Sequence, residues 1–187
     1  MNTKIVTRLL SCLLLIWTVH AQPTSKTWYI QKDALSGIFE SSEFSILNVN
    51  QTLVYRLESA PTILYRAWRI DVPNNETVGW IKQMWTVWLK QYMYEMNGIK
   101  GTLERRLNFL NVEYRGDWNG MSYRLSGDYT SMSWEWWSGE DILASCVREL
   151  KETGLKKTWR LDIFEKGLTF SDVIYLAGFS ALIQEFD

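Results

Sequence analysis

Hydrophobic and polar residues alternate along most of the chain, and this period of two is typical of β-strands with one buried face. In the first such segment Trp28 and Ile30 fall on one face, while Tyr29 and Gln31 fall on the other. Residues 85–96 fit either a strand or a helix. The spacing of these segments predicts about eleven or twelve strands. The further predicted strands are 44–47, 53–57, 63–70, 77–84, 101–107, 109–114, 123–125, 131–137, 142–150 and 157–164.

Polar turn sequences separate these segments, for example at 48–51 and 71–76. Asn119-Gly120 is a pair that favours a two-residue hairpin turn, because both residues tolerate positive φ. Gly116-Asp and Gly127-Asp recur eleven residues apart, and we expect them to mark bends at the rim of a barrel.

The C-terminal segment breaks the strand pattern, because residues 172–187 read DVIYLAGFSALIQEFD with almost no polar face. A helix that is apolar all round is buried all round, and this one is shorter than the about 20 apolar residues that cross a bilayer. We therefore predict a helix over about 171–186 inside a closed sheet. Thr169 and Ser171 are its candidate N-caps, and Asp172 suits its positive N-terminal end. The fold class is an all-β antiparallel barrel of about 12 strands around one buried helix.

The N-terminus resembles a targeting segment rather than part of the fold. Lys4 and Arg8 precede the apolar run 9–17, and small residues lead up to Ala21. We expect residues 1–21 to be a signal peptide cut between Ala21 and Gln22, leaving 22–187 as a single domain. A retained anchor helix is the weaker alternative, because the apolar run is short. Cleavage makes the protein secreted and extracellular.

Loss of that leader would remove the only histidine and one of the two cysteines. The only histidine, His20, lies in it, as do Lys4 and Arg8, so the net charge falls from −1 to −3. One thiol, Cys146, is left, and its apolar neighbours favour an inert core residue over an intermolecular link. Without histidine we expect no catalytic triad, and we assign no catalytic, cofactor or metal residues. Acidic pairs such as Asp117 with Asp128 are interpreted as solvated rim charges.

Two features carry a modest functional signal. The glycosylation sequons at Asn50 and Asn75 both fall in predicted turns. Trp136 and Trp137 are adjacent, so within one strand they point to opposite faces, and at least one points away from the core. Core packing accounts for most tryptophans of this chain, but this pair could offer surface aromatic contacts.

The order of several motifs resembles the tubby-like barrel superfamily, and most closely its LURP-one-related and scramblase-like branch. Those domains are twelve-stranded barrels closed around a hydrophobic C-terminal helix, and the resemblance spans nearly all of 27–186. The motifs that carry it are Phe44-Ser-Ile-Leu, Leu53-Val-Tyr-Arg-Leu, Tyr114-Arg-Gly-Asp-Trp, Tyr123-Arg-Leu, Gly139-Glu-Asp-Ile-Leu-Ala-Ser-Cys-Val, Lys157-Thr-Trp-Arg-Leu-Asp-Ile and the terminal helix.

The chain also departs from that family. The resemblance implies intracellular proteins, phosphoinositide binding through basic residues in tubby proteins, and calcium and palmitoylation segments in scramblases. Here a leader is present, basic residues alternate with acidic ones, and no such calcium or cysteine-rich segment is found. We therefore expect neither phosphoinositide nor calcium binding.

These observations favour a secreted, non-enzymatic binding or interaction protein, whose partner is an extracellular protein, glycan or matrix. One alternative is a structural component of an extracellular or mineralised matrix. Another is a lipid-binding protein, which the family resemblance alone suggests. The slightly acidic mature chain gives no reason to expect a nucleic acid partner or membrane binding.

Overall fold

The computed structural model describes residues 26–32, 43–60, 65–85, 89–106, 112–128, 133–149, 157–165 and 167–186. Within these residues the chain forms twelve strands and one helix. The strands are β1 (Lys26–Lys32), β2 (Glu43–Leu47), β3 (Leu53–Ala60), β4 (Arg66–Asp71), β5 (Thr77–Trp85), β6 (Lys90–Met96), β7 (Ile99–Arg106), β8 (Val112–Trp118), β9 (Met121–Asp128), β10 (Ser133–Ser138), β11 (Asp141–Glu149) and β12 (Lys157–Ile163), and the helix is α1 (Phe170–Phe186). The predicted leader and its cleavage site at Ala21 and Gln22 lie outside the described residues.

Every strand pairs antiparallel with the next, and β12 pairs with β1, so the sheet closes into a barrel. The predicted fold class is confirmed. Closure gives each described strand a partner on both sides and so removes the exposed sheet edges that invite aggregation. The ambiguous segment 85–96 is resolved in favour of strands, because β5 runs to Trp85 and β6 begins at Lys90.

Tight turns gather at one end of the barrel, where the helix also enters. Successive connections of an up-and-down barrel alternate between its ends, so the turns at 48–52, 72–76, 97–98, 119–120 and 139–140 share one end. Asn119 and Gly120 have φ of 50° and 75°, which confirms the predicted hairpin turn. Helix α1 follows β12 from this same end.

Helix α1 fills the barrel interior. All its residues from Val173 to Ile183 are buried, as predicted from their apolar character on every side. An eight-stranded barrel is just filled by its own side chains, whereas sixteen strands leave a channel, so twelve strands leave room for one helix. Gly178 lies where the wall comes closest: a Cβ there would be 3.0 Å from Ile81 and 3.4 Å from Leu57.

A capping box fixes the start of α1. Thr169 is the N-cap, and its hydroxyl oxygen accepts a hydrogen bond from the backbone N–H of Asp172 at 3.3 Å. The Asp172 carboxylate accepts from the Thr169 backbone N–H at 2.7 Å in return. Its other oxygen accepts from the indole N–H of Trp118 at 2.9 Å, which ties the cap to β8. The alternative N-cap, Ser171, lies within the helix, which begins one residue before the predicted start.

Aromatic side chains of the wall pack around α1, and hydrogen bonds of two rings join the helix to the wall. The Tyr175 ring stacks on Trp118 at an interplanar angle of 15°, and its hydroxyl donates to the Thr102 carbonyl at 2.9 Å. The Trp136 indole donates to the Ser180 hydroxyl at 2.9 Å. Satisfied polar tips let large rings be buried without the cost of an orphaned donor.

The expectation that Gly116 and Gly127 mark rim bends is wrong. Gly116 pairs with Tyr123 inside β8, and Gly127 pairs with Trp134 inside β9. A Cβ on Gly127 would overlap the Trp134 ring, and a Cβ on Gly116 would lie 2.7 Å from the Tyr175 hydroxyl oxygen. Both positions need glycine because other groups occupy the space of a side chain, namely the Trp134 ring at Gly127 and the Thr102 carbonyl and Tyr175 hydroxyl at Gly116.

Candidate ligand groove

A polar groove of about 480 Å³ lies on the outer face of β7, β8 and β9. Inward positions on these strands, such as Leu103, Tyr114 and Leu125, are fully buried, so the alternate positions point outward. The lining residues are Thr102, Glu104, Arg106, Arg115, Gly116, Asp117, Ser122, Tyr123, Arg124 and Gly139. Its volume falls within the range of about 300–1,000 Å³ that is common for small-molecule sites.

Strand register brings four outward side chains into one row across this face. Glu104 pairs with Arg115 between β7 and β8, and Arg115 pairs with Arg124 between β8 and β9. Arg124 in turn pairs with Trp137 on β10. Two arginines placed directly opposite each other repel, which lowers stability unless a negative charge lies nearby. This arrangement marks the row as a functional candidate.

The arginines of the groove differ in how their charge is balanced. Arg106 lies 3.3 Å from Glu104, and Arg115 Nε lies 2.5 Å from the carboxylate of Glu113. The described residues give Arg124 no ion pair. Its guanidinium lies 4.9 Å from the centre of the Trp137 ring, a cation–π contact that holds it in place. Arg124 is therefore the cation of the groove that is available to a ligand.

Two buried donors next to each other support this assignment. Arg124 Nε and Trp137 Nε1 are both buried without a hydrogen-bond partner in the part of the chain that the structure describes. Buried donors in folded proteins are nearly always satisfied by protein, water or a bound group. The unsatisfied Nε belongs to the guanidinium that lines the groove, so an oxygen acceptor beside Arg124 would supply the hydrogen-bond partner that this group lacks.

Two carboxylates complete the groove. Asp117 is exposed and accepts a hydrogen bond from the Ser122 hydroxyl at 2.7 Å. Glu104 accepts from Arg106. Asp128, which we grouped with Asp117 as a solvated acidic pair, stands at the far end of β9 from Ser122, the strand partner of Asp117. The groove thus offers one uncompensated cation together with acceptors for hydroxyl groups.

Adjacent tryptophans in β10 split between core and surface. Trp137 is half-buried on the outer face, whereas Trp136 is fully buried and faces α1. The prediction of opposite faces is confirmed, and the suggestion of Trp136 as a surface contact is corrected. Trp136 lies on the interior face, where its indole N–H donates to Ser180. Because successive side chains of a strand point to opposite faces, Trp137 lies on the outer face.

Arg115 and Arg124 were not predicted as site residues, although the amino-acid sequence contains a signal for them. Each follows a tyrosine, in the pairs 114–115 and 123–124, and each tyrosine points inward while the arginine points outward. Only the register between β8 and β9 shows that the two arginines are opposite each other.

Both sequon asparagines are exposed at the end of the barrel where α1 enters. Asn50 lies in the β2–β3 turn, and its backbone N–H donates to the Asn48 side chain at 2.9 Å. Asn75 lies in the β4–β5 turn with φ of 64°. These turns join β2 to β3 and β4 to β5, so neither belongs to the strands that line the groove.

We expect glycan on Asn50, Asn75 or both in protein secreted by eukaryotic cells. Enzymatic removal of N-linked glycan should increase gel mobility, and the combined variant Asn50→Gln, Asn75→Asp should abolish that shift. Aspartate is chosen at position 75 because it tolerates positive φ. Unchanged mobility of the wild-type protein after treatment would contradict the prediction.

The remaining chemistry within the described residues is sparse. Cys146 is fully buried and forms no disulfide there, which fits its interpretation as a core residue. No group of three or more His, Cys, Asp or Glu among these residues is placed to hold a metal ion. None of the helices in the described ranges is long and apolar enough to cross a membrane.

Buried tyrosines make the fold sensitive to alkaline pH. Burial raises the pKa of Tyr94 and of Tyr175, with smaller contributions from nearby charged or ionisable groups. In the unfolded chain both ionise at a pKa of about 10. Their folded pKa is the higher one, so the stability that they contribute is complete below pH 10 and is lost as pH rises above it.

We therefore expect the free energy of unfolding to fall between pH 9 and pH 11, by about 1.4 kcal/mol for each of these two tyrosines at the upper limit. Urea titrations across this range measure the loss, and near-ultraviolet absorbance shows when tyrosinate forms. Tyr94→Phe should show a smaller loss. A stability that stays level up to pH 11 would contradict the prediction.

Comparison of the chain with protein-family models finds no match, and comparison with curated proteins finds none either. The closed antiparallel barrel of twelve strands is therefore established by the structure alone.

Proposed function

We propose that this chain is a secreted, non-enzymatic binding protein of the tubby-like barrel superfamily, which binds an extracellular ligand in the groove on β7–β9. One observation carries the proposal: Arg124, held against Trp137, lines a groove without an ion pair among the described residues. The motif order of the sequence and the twelve-stranded barrel with its C-terminal helix support the family.

The barrel interior favours an outer site over an internal one. Helix α1 and the wall rings fill the space that other barrels use for a ligand, since Tyr175 and Phe179 are fully buried among them. A ligand inside would have to displace the helix. The outer groove needs no such rearrangement.

The side chains of the groove favour binding over catalysis. Its carboxylates are Glu104, which is paired with Arg106, and Asp117, which is exposed. Acid–base catalysis by two carboxyls needs environments that push their pKa values apart, usually through burial of one of them. Neither carboxylate lies in such an apolar site.

Groove occupancy can be tested by filling the groove without changing its charge. Thr102→Trp places a ring in the lining, and Thr27→Trp is a matched control at a half-buried outer position on β1. Labelled protein should bind saturably to extracellular matrix laid down by the cells that secrete it, and Thr102→Trp should lose that binding. Equal binding by Thr102→Trp, or no saturable binding by the wild type, would overturn the proposal.

A further inference from the structure

We infer that the groove recognises a saccharide unit that bears a single carboxylate. This inference rests on the proposed function, because it names the ligand class of the same site. Four features carry it: the uncompensated guanidinium of Arg124, the opposed Arg115, the carboxylates of the lining and the hydroxyl groups of Thr102 and Ser122.

The two opposed arginines of the groove favour a ligand that carries an oxyanion. Arg115 Nε is engaged by Glu113, but its remaining N–H groups are not assigned to any contact among the described residues. Arg124 has no acceptor there, and its ring contact with Trp137 limits the conformational freedom that binding would have to remove. A planar guanidinium binds a carboxylate through two parallel hydrogen bonds. A carboxylate that joins Arg124 would also relieve its repulsion from Arg115.

The carboxylates of the groove limit how much negative charge a ligand can carry. Glu104 and Asp117 line the same depression as the arginines, so that three cations face two anions. A lipid headgroup with several phosphates, or a heavily sulfated chain, would bring its charges against both carboxylates. Arg106 and Arg115 are paired with Glu104 and Glu113, so a ligand with one negative charge matches the one arginine, Arg124, that is left without an ion pair among the described residues.

The neutral polar groups of the groove fit a ligand rich in hydroxyls. The Thr102 hydroxyl can donate or accept, the Ser122 hydroxyl, which donates to Asp117, can accept, and so can the carboxylates of Glu104 and Asp117. Saccharide hydroxyls donate and accept in closely spaced pairs, which this mixture of partners can satisfy. An acidic peptide would instead add several carboxylates, and a volume of about 480 Å³ suits one or two sugar rings.

Calorimetry on the purified, folded barrel tests the ligand class. The probes are methyl β-D-glucuronide, its uncharged methyl ester, methyl β-D-glucoside, acetate and a short glutamate-rich peptide. We expect the glucuronide to bind at least about tenfold more tightly than its ester or the glucoside, because a charged hydrogen bond discriminates by that factor or more. Binding should weaken as salt rises, since salt screens the attraction between the carboxylate and the half-buried charge of Arg124.

Matched variants locate the interaction. Arg124→Gln keeps the length of the side chain but removes its charge, and should reduce the affinity for the glucuronide by about tenfold or more while leaving the affinity for the glucoside unchanged. Arg160→Gln is the control: Arg160 is an exposed arginine on β12 that pairs with Asp162 at 2.8 Å, and its loss should change neither affinity. Unfolding midpoints of both variants show that each remains folded.

The outcomes separate this inference from the proposed function. Equal binding of glucuronide and its ester, a preference for acetate or for the glutamate-rich peptide, or no saccharide binding at millimolar concentration overturns the saccharide assignment. If matrix binding is still lost in Thr102→Trp, the groove is the site but its ligand is of another class. If Thr102→Trp binds matrix normally, the proposed function itself fails.

Discussion

Leu176→Asp is expected to abolish cooperative folding. Leu176 is fully buried in the middle of α1, between the helix and the barrel wall. A carboxylate there loses its hydration and gains no partner, and an uncompensated buried charge costs about 3–5 kcal/mol. Removal of the leucine side chain adds about 2–5 kcal/mol. Together these losses reach the whole stability of a typical domain, about 5–15 kcal/mol.

Phe170→Asp serves as the matched control for this result. Phe170 is 64% exposed at the start of the same helix, where a negative charge suits the helix dipole. Its edge-on ring contact with Trp28 is lost, so we expect a decrease of only about 1 kcal/mol. Circular dichroism during urea unfolding measures both variants. A Leu176→Asp protein that unfolds cooperatively near the wild-type midpoint would show that the helix does not lie in the core.

Gly116→Ala is expected to cost about 2–4 kcal/mol, the second largest effect. A methyl group at this position meets the Thr102 carbonyl, the Leu103 Cα and the Tyr175 hydroxyl. Two of these are backbone atoms of the paired strand, which cannot rotate away. The Tyr175 hydroxyl would lose its 2.9 Å hydrogen bond to Thr102 and be left buried without an acceptor.

Gly120→Ala controls for the general cost of losing a glycine. Gly120 lies in the hairpin after β8 with φ of 75°, and nothing lies within 4 Å of a Cβ there. Only the strain of the left-handed backbone is added, about 1–2 kcal/mol. Urea titration of both variants gives the comparison. Equal losses in the two would mean that the Thr102 carbonyl, the Leu103 Cα and the Tyr175 hydroxyl leave room for a methyl group at Gly116.

Most of this fold could be predicted from local patterns of apolar and polar residues in the sequence. Alternation of apolar and polar residues located the strands, and an all-apolar helix after an all-β chain could only be buried inside them. Residues 85–96 were ambiguous because closely spaced aromatic and apolar residues satisfy both periods. The role of the glycines at 116 and 127 was not predicted, because the groups that take their space come from elsewhere in the sequence: the Thr102 carbonyl and Tyr175 hydroxyl at Gly116, and the Trp134 ring at Gly127.

The groove was less accessible to sequence reasoning. Trp137 could be placed outside by alternation, but the approach of Arg115 to Arg124 depends on the register of β8 against β9. A shift of β9 by one residue would turn Arg124 inward and leave Arg115 outside, so their opposition is a property of pairing and not of composition. The hydrophobic pattern identifies which strands exist, while the function proposed for this chain depends on how they align.

Nuclear magnetic resonance of the tryptophan indole N–H groups tests the central claim, that the ligand binds outside the barrel beside Trp137 and leaves the filled interior undisturbed. Resonances are assigned with single Trp→Phe variants, and methyl β-D-glucuronide is added to the labelled wild-type protein. We predict that the Trp137 resonance shifts saturably, while the resonances of Trp118 and Trp136 do not move. The indoles of Trp118 and Trp136 donate to Asp172 and Ser180 inside the barrel. A shift of the two interior resonances with Trp137 unmoved would contradict this prediction.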